Sequence, residues 1–204
     1  MPLSTPYSAA PLEAVVPIFR RYGTEAAPAE ELAAALQLSV SELNTRYADR
    51  STLVHQVMQA DIERQKREHA EVFQQYPTAV ERLYALIQLG LRDMTDVAPS
   101  FISDLQRYPR TWEMLMDNLN EYSAPQTQQL LNEGIRQRLF RSDINIQLVS
   151  KILVEQLNML INPQIFPPER YNLAEVFRSI FLYYVRGLCT EEGARIAANH
   201  FARL

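Results

Sequence analysis

The sequence predicts an all-α protein, and three observations carry that prediction. Glycine is scarce, at five of 204 residues. Long windows repeat apolar residues at spacings of three and four, the pattern of amphipathic helices. The Val/Ile/Thr alternation that marks strands is hard to find. Hydrophobic residues make up 47% and charged residues 22%, which excludes wholesale disorder. No stretch approaches 18 apolar residues, and residues 1–10 lack the basic-then-apolar layout of a signal peptide. One cysteine, Cys189, cannot form an internal disulfide or a CxxC-type zinc site, so the reducing cytoplasm fits best. A net charge of −4 argues against a protein that coats nucleic acid non-specifically.

Residues 1–10 read as a flexible tail, since Pro and Ser give it nothing to bury. A first helix is predicted over 12–22, with Leu12, Val15, Val16, Phe19 and Tyr22 inward and Gly23 as its stop. Pro17 requires either a kink there or a late start with Pro17 in the first turn. Two short helices follow, 29–36 and 40–47, and then a long one over 51–75, about 37 Å at 1.5 Å per residue. The alternating charges of that helix (Asp61, Glu63, Arg64, Lys66, Arg67, Glu68, Glu71) suggest a solvated face. Tyr76-Pro77 ends it. Further helices are predicted over 78–95, 100–108, 110–138 with a bend at Pro125, 144–161, 173–188 and 191–201. Asp143 and Asn172 are N-cap candidates, and Asn172 with Glu175 has capping-box spacing.

The most informative string is ELAAALQLSVSELNTRYADRSTL, residues 31–53. Leu32, Ala33 and Leu36 form one apolar face, Leu38 lies in the connecting turn, and Leu43 and Tyr47 face inward from the next helix. Two helices joined by so short a turn cross steeply, and Ala33 lets their backbones approach. Ser39 with Glu42 completes an S-x-x-E capping box. This is the layout of a helix-turn-helix, whose second helix enters a major groove by its N-terminal end.

The stretch resembles the DNA-binding domain of TetR-family transcriptional regulators, whose pattern runs I-A-x-x-A-G-V-S-x-G-x-L-Y-x-H-F-x-x-K-x-x-L. Leu32 and Ala33 take the I-A positions, Leu38-Ser39 the V-S, Leu43 the leucine, Tyr47 the aromatic and Leu53 the last leucine. Phe19 and Gly23 fall where the family's first helix carries F and G. Residues 134–149 (GIRQRLFRSDINIQLV) are similar to a stretch that precedes the last two long helices in some members. The departures are Gln37 and Ser41 for two glycines, Asn44 for a tyrosine, Arg46 for the histidine and Arg50 for the lysine. The resemblance implies a tail (1–10), a three-helix N-terminal helix-turn-helix domain (11–50) and a helical ligand-binding and dimerisation domain (51–204). It implies a cytoplasmic regulator, most often a repressor, whose partners are a palindromic double-stranded DNA operator, a small apolar effector and a second copy of itself, with no cofactor and no membrane.

The DNA-binding candidates are Ser39, Ser41, Glu42, Asn44, Thr45, Arg46, Tyr47 and Arg50. Asn44 or Arg46 suits base edges, and Tyr47 and Arg50 suit phosphate. Glu42 is most simply a cap, with a cytosine amino group as its alternative partner. Residues 1–50 carry Arg20, Arg21, Arg46 and Arg50 against Glu13, Glu25, Glu30, Glu31, Glu42 and Asp49, an acidic excess of two. Because phosphate neutralisation dominates DNA affinity, this head should bind weakly at physiological salt. An alternative reading is therefore a TetR-like dimer that has lost DNA binding and serves as a small-molecule or lipid binder.

Tyr84, Phe101, Tyr108, Trp112 and Met116 are core material by periodicity and effector-pocket candidates by resemblance. His55, His69 and His200 lack ligand spacing, so no metal site is expected. No G-x-S-x-G, P-loop, G-x-G-x-x-G, H-E-x-x-H or D-D-x-x-D motif is present, so no enzymatic activity is expected. The helices over 144–161 and 173–188 are apolar around more of their circumference than a surface helix needs. Leu148, Ile152, Met159, Phe177, Ile180, Phe181 and Tyr184 are the candidates for a two-fold, four-helix interface that covers the surplus.

Overall fold

The structure, a computed structural model, describes residues 9–201 and the side chains of 11–200. The helices are α1 (Ala9–Glu13), α2 (Val16–Tyr22), α3 (Ala29–Ala35), α4 (Val40–Arg46), α5 (Arg50–Gln75), α6 (Ala79–Met94), α7 (Phe101–Gln106), α8 (Pro109–Asn118), α9 (Ala124–Arg136), α10 (Ile146–Leu160), α11 (Leu173–Leu188) and α12 (Glu191–Phe201). A π-helical turn, Leu119–Ser123, joins α8 to α9. Among the described residues there is no strand, and one antiparallel bridge pairs Phe140 with Cys189. The fold is all-α.

Several expectations are refined. The tail expected over 1–10 lies outside the described residues except for Ala9 and Ala10, which begin α1. The proline question is resolved by a late start, with Pro17 in the first turn of α2, where its missing N–H costs nothing. The predicted 110–138 helix is broken by the π-helical turn just before Pro125, which opens α9. Asn145, not Asp143, caps α10 by accepting from the Leu148 N–H; Asp143 pairs with Arg141 at 2.6 Å instead. Asn172 does cap α11, accepting from the Glu175 N–H at 3.1 Å.

The described residues form two compact units. The first holds the chain through Arg67 together with Asp96–Met116. Its core is built from Val15, Val16 and Phe19 of α2, Leu32 and Leu36 of α3, Leu53, Val54 and Val57 of α5, and Phe101 and Leu105 of α7. The segment 96–116, which begins at Asp96, 43 residues after the helix-turn-helix string ends at Leu53, is thus part of the same core. Asp61 breaks the expected solvated face of α5. It is 1% exposed and accepts from Arg20 at 3.0 Å, Arg64 at 2.6 Å and Gln65 at 3.1 Å. A carboxylate can be buried only with its charge paired and its lone pairs filled.

The second unit holds Glu68–Thr95 and the chain from Asp117. Val80, Leu83 and Ile87 of α6, Leu130 and Leu131 of α9, Leu153 and Leu160 of α10, and Phe177, Phe181 and Val185 of α11 form its core. Glycines admit two of its phenylalanines: a Cβ on Gly90 would collide with the Phe177 ring, and one on Gly134 with Phe140. Arg82 of α6 ties to Glu133 of α9 at 2.6 Å and donates to the Tyr76 carbonyl at 2.7 Å.

The turn between α3 and α4 achieves a glycine-type geometry without glycine. Gln37 sits at φ 58°, and the Leu38 N–H reaches back to the Ala33 carbonyl at 2.8 Å, the 6→1 bond of a Schellman motif. A left-handed conformation costs a side-chain-bearing residue roughly 1–2 kcal/mol. Gln37→Gly is expected to raise the unfolding free energy by up to about 1 kcal/mol, after the greater chain entropy of glycine is subtracted. Urea titration followed by circular dichroism checks this.

Candidate nucleic-acid interface

α4 presents nearly all of its side chains to solvent. Leu43 is its one buried residue, 4% exposed, while Val40, Ser41, Glu42, Asn44, Thr45 and Arg46 are all exposed. The capping box is complete: the Ser39 N–H and hydroxyl both donate to Glu42 Oε2, at 2.8 and 2.7 Å, and the Glu42 N–H returns to Ser39 Oγ at 3.2 Å. These bonds, the Ser39 N–H first and its hydroxyl second, hold the Glu42 carboxyl below its ordinary pKa. Glu42 is therefore a cap, as its spacing implies, and a fixed negative charge in the first turn of α4.

Thr45 donates its hydroxyl to the Ser41 carbonyl at 2.9 Å. Arg46 lies with its guanidinium 5.9 Å from the centroid of the Tyr47 ring. At the far end Asp49 accepts from the Ser51 N–H at 3.0 Å and the Ser51 hydroxyl at 2.6 Å, so the start of α5 is also pinned.

Two expected DNA contacts are turned inward. Tyr47, 9% exposed, packs in the first core and donates its hydroxyl to Gln56 at 3.4 Å. Arg50 is committed further: its Nε donates to the Thr24 carbonyl at 2.9 Å, its Nη2 donates to the same oxygen, and its guanidinium stacks 5.2 Å from the Phe19 ring. Burial lowers its pKa from the usual arginine value. In place of a phosphate contact, it closes the α2–α3 loop onto α5. Motif position could not separate these uses, because a cation one turn past the second helix of a helix-turn-helix suits either.

The segment 96–116 braces the same unit. The Ala98 N–H donates to the Arg20 carbonyl at 2.6 Å, and Gly23, at φ 82°, leaves room for Ser100 and Asp104 that a Cβ would fill. Tyr108 donates its hydroxyl to Glu25, and burial with that hydrogen bond pushes the phenol up to about 12. Thr111, 1% exposed, meets His55 Nδ1 at 3.3 Å.

The five effector-pocket candidates do not belong to one unit. Phe101 is in the first core, with Tyr108 and Trp112 packed against it, and Met116 falls in the same unit. Tyr84 belongs to the second, its ring 5.2 Å from His200. Sequence reasoning missed the buried oxygens of the second unit that have no hydrogen-bond partner among the described residues: Asn118 Oδ1, Gln156 Oε1, Asn158 Oδ1 and the Tyr184 hydroxyl. Burial alone raises the Tyr184 pKa.

Of the interface candidates, Leu148 and Ile152 are exposed, at 56% and 46%, and Met159, Ile180 and Tyr184 are half-buried. Phe177 and Phe181 are core residues of their own unit and leave the candidate set. α11 is apolar around much of its circumference, so periodicity could not say which of its residues face in. Tyr183, 71% exposed, was missed, although it shares the Ile180 face at three residues' spacing.

No family model matches the sequence, and no curated protein matches it. Solved structures do match. A protein from Saccharomonospora viridis described as a transcriptional regulator, solved with choline, has a TM-score of 0.66 at 15% identity, over 89% of this chain and 97% of that one. A protein from Rhodococcus sp. described as a TetR-family transcriptional regulator has a TM-score of 0.58 at 12% identity, with the same 89% and 97% coverage. The ketosteroid transcriptional regulator of Mycobacterium tuberculosis has a TM-score of 0.53 at 15% identity, covering 89% and 94%. The chain thus has the all-α TetR fold, an N-terminal helix-turn-helix followed by a helical domain. No helix among the described residues is long and apolar enough to cross a membrane.

Two predictions follow from the geometry of Arg50 and His55. Arg50→Met keeps an apolar stem against Phe19 but removes both bonds to Thr24. It should cost about 1.5–3 kcal/mol of stability, the range for hydrogen bonds to a charged group. The dependence of duplex binding on salt should stay unchanged, whereas a slope shallower by about one would place the guanidinium on a phosphate. Burial, aided by Arg110, lowers the His55 pKa below 6.5. The unfolded chain then takes up the proton first, so stability is full above about pH 6.5 and falls as the pH drops below it. His55→Gln should flatten that part of a pH–stability profile.

Proposed function

We propose that the chain is a homodimeric, DNA-binding transcriptional regulator of the TetR family, acting in the cytoplasm as a repressor that a small apolar effector releases. Residues 11–50 form the DNA-binding head, and 51–204 carry effector binding and dimerisation. The observation that carries this reading is α4 itself, capped at its N-terminus, anchored by Leu43 and exposed everywhere else. A helix built this way suits a major groove. Ser39, Ser41, Glu42, Asn44, Thr45 and Arg46 remain the proposed contact set.

The exposed Leu148 and Ile152 of α10, with Tyr183 of α11, support pairing with a second copy. Burying each further Leu or Ile contributes roughly 1.5–3 kcal/mol, and two reading helices about 34–36 Å apart would meet successive major grooves. The partnerless buried oxygens of the second unit and its aromatic core suit an apolar effector with a polar group. One structural neighbour was solved with choline and another is named for ketosteroids. Effector binding would favour a conformation whose heads no longer match the operator spacing, a population shift.

The second reading, a TetR-fold dimer that has lost DNA binding and carries or senses a small molecule or lipid, is favoured by the acidic head and by the commitment of Arg50 to Thr24. A gel shift with the chain's own upstream DNA, at low and moderate salt, separates the two. Retardation of a palindromic site supports regulation. No retardation, together with a co-purified lipid in native mass spectrometry, supports the carrier. Leu148→Glu combined with Ile152→Glu should yield a monomer in sedimentation and lose at least ten-fold in duplex affinity; a dimer that survives this change refutes the assigned interface.

A further inference from the structure

The outward face of α4 has a definite base chemistry. Successive residues of a helix turn by about 100°, so Ser41 and Thr45 lie near the centre of the face opposite the buried Leu43. Asn44 and Glu42 flank that centre on either side. Val40 precedes Asn44 by one turn and is 37% exposed. Val40 and Arg46 lie equally far back toward Leu43 on opposite flanks, Val40 on the Asn44 side and Arg46 on the Glu42 side, where Arg46 meets the Tyr47 ring at 5.9 Å.

Each side chain has been narrowed by its own bonds. Thr45 spends its hydroxyl on the Ser41 carbonyl and offers a methyl group. Val40 offers two more. Asn44 carries the one carboxamide of the helix, a donor and an acceptor side by side. Glu42, ionised and pinned by Ser39, offers only acceptor oxygens. In the major groove adenine presents N7 and an N6 amino group, a match for a carboxamide; thymine presents a C5 methyl; guanine presents two acceptors. A carboxylate accepts from the amino group of adenine or cytosine and is repelled by the two acceptors of a guanine on the strand it faces, and the cation that would pair with guanine is drawn to the edge of the helix.

We propose that α4 reads an A·T-rich half-site, with Asn44 on adenine, Thr45 and Val40 on thymine methyls, and Glu42 rejecting guanine. This rests on the reading of α4 as a major-groove helix. The face is acidic, so non-specific attraction to phosphate is weak, and the discrimination of the complex comes from base edges rather than from affinity for any duplex.

The test is selection of duplexes from a randomised pool by the full chain at low salt, with pulldown of the unrandomised pool as reference. The expected result is a half-site in which at least three adjacent positions are A or T, with guanine depleted beside them. Asn44→Ala should relax preference at one adenine by ten-fold or more and leave the others intact. Thr45→Val, which keeps the methyl, should preserve the thymine preference that Thr45→Ser loses. Glu42→Gln should admit guanine at its position. An enriched site rich in G·C, or an Asn44→Ala chain with the parent's preferences, overturns the proposal while leaving operator binding in place. Retention of no sequence above reference overturns operator binding itself, and this proposal with it. The substituted residues are exposed, and an unchanged helical circular dichroism spectrum confirms that each variant is folded.

Discussion

A helix of seven residues is far too short to hold its shape in water, since forming the first turn fixes several dihedral angles for one hydrogen bond. α4 exists because its two ends and one side chain are held from outside. Ser39 and Glu42 satisfy donors at its start, Gln37 in a left-handed conformation sets its angle to α3, and Leu43 anchors it in the first core. Every other side chain of the helix is then surplus to folding. That is the physical condition for a reading surface: its residues can change without unfolding the head.

The same economy explains the fate of the cations. In an acidic head two of the arginines are held by oxygen partners within their own unit. Arg20 neutralises the buried Asp61, and Arg50 fastens a loop carbonyl. What remains exposed near α4 is a helix of mixed polar and methyl groups with a fixed carboxylate. Such a surface is poorly suited to general attraction toward phosphate and better suited to choosing among base edges. The acidity that argues against a strong DNA-binding protein is thus compatible with a selective one.

The second unit places its large aromatics by subtraction. Gly90 and Gly134 open the gaps into which Phe177 and Phe140 fit, and with Phe177 committed inward the helical period leaves Ile180 at the edge of the core and turns Tyr183 out to solvent. The apolar surplus of α10 and α11 is therefore narrower than their composition suggests. It is concentrated in Leu148, Ile152 and Tyr183.

Local rules were legible in the chain itself. The capping box at Ser39 and Glu42, the stop at Gly23, the proline at the head of α2 and the start of α11 at Asn172 all depend on neighbours within a few residues, and the three-and-four spacing of apolar positions marked nearly every helix. Tertiary packing decided what periodicity leaves open. It drew residues 96–116 into the core of the first unit, buried Asp61 in a helix face that looked solvated, turned Tyr47 and Arg50 away from solvent, and chose which face of α11 is buried. The reason is one of range: a cap or a turn is satisfied by atoms a few bonds away, whereas the partner of a buried charge or an aromatic ring comes from wherever the chain returns.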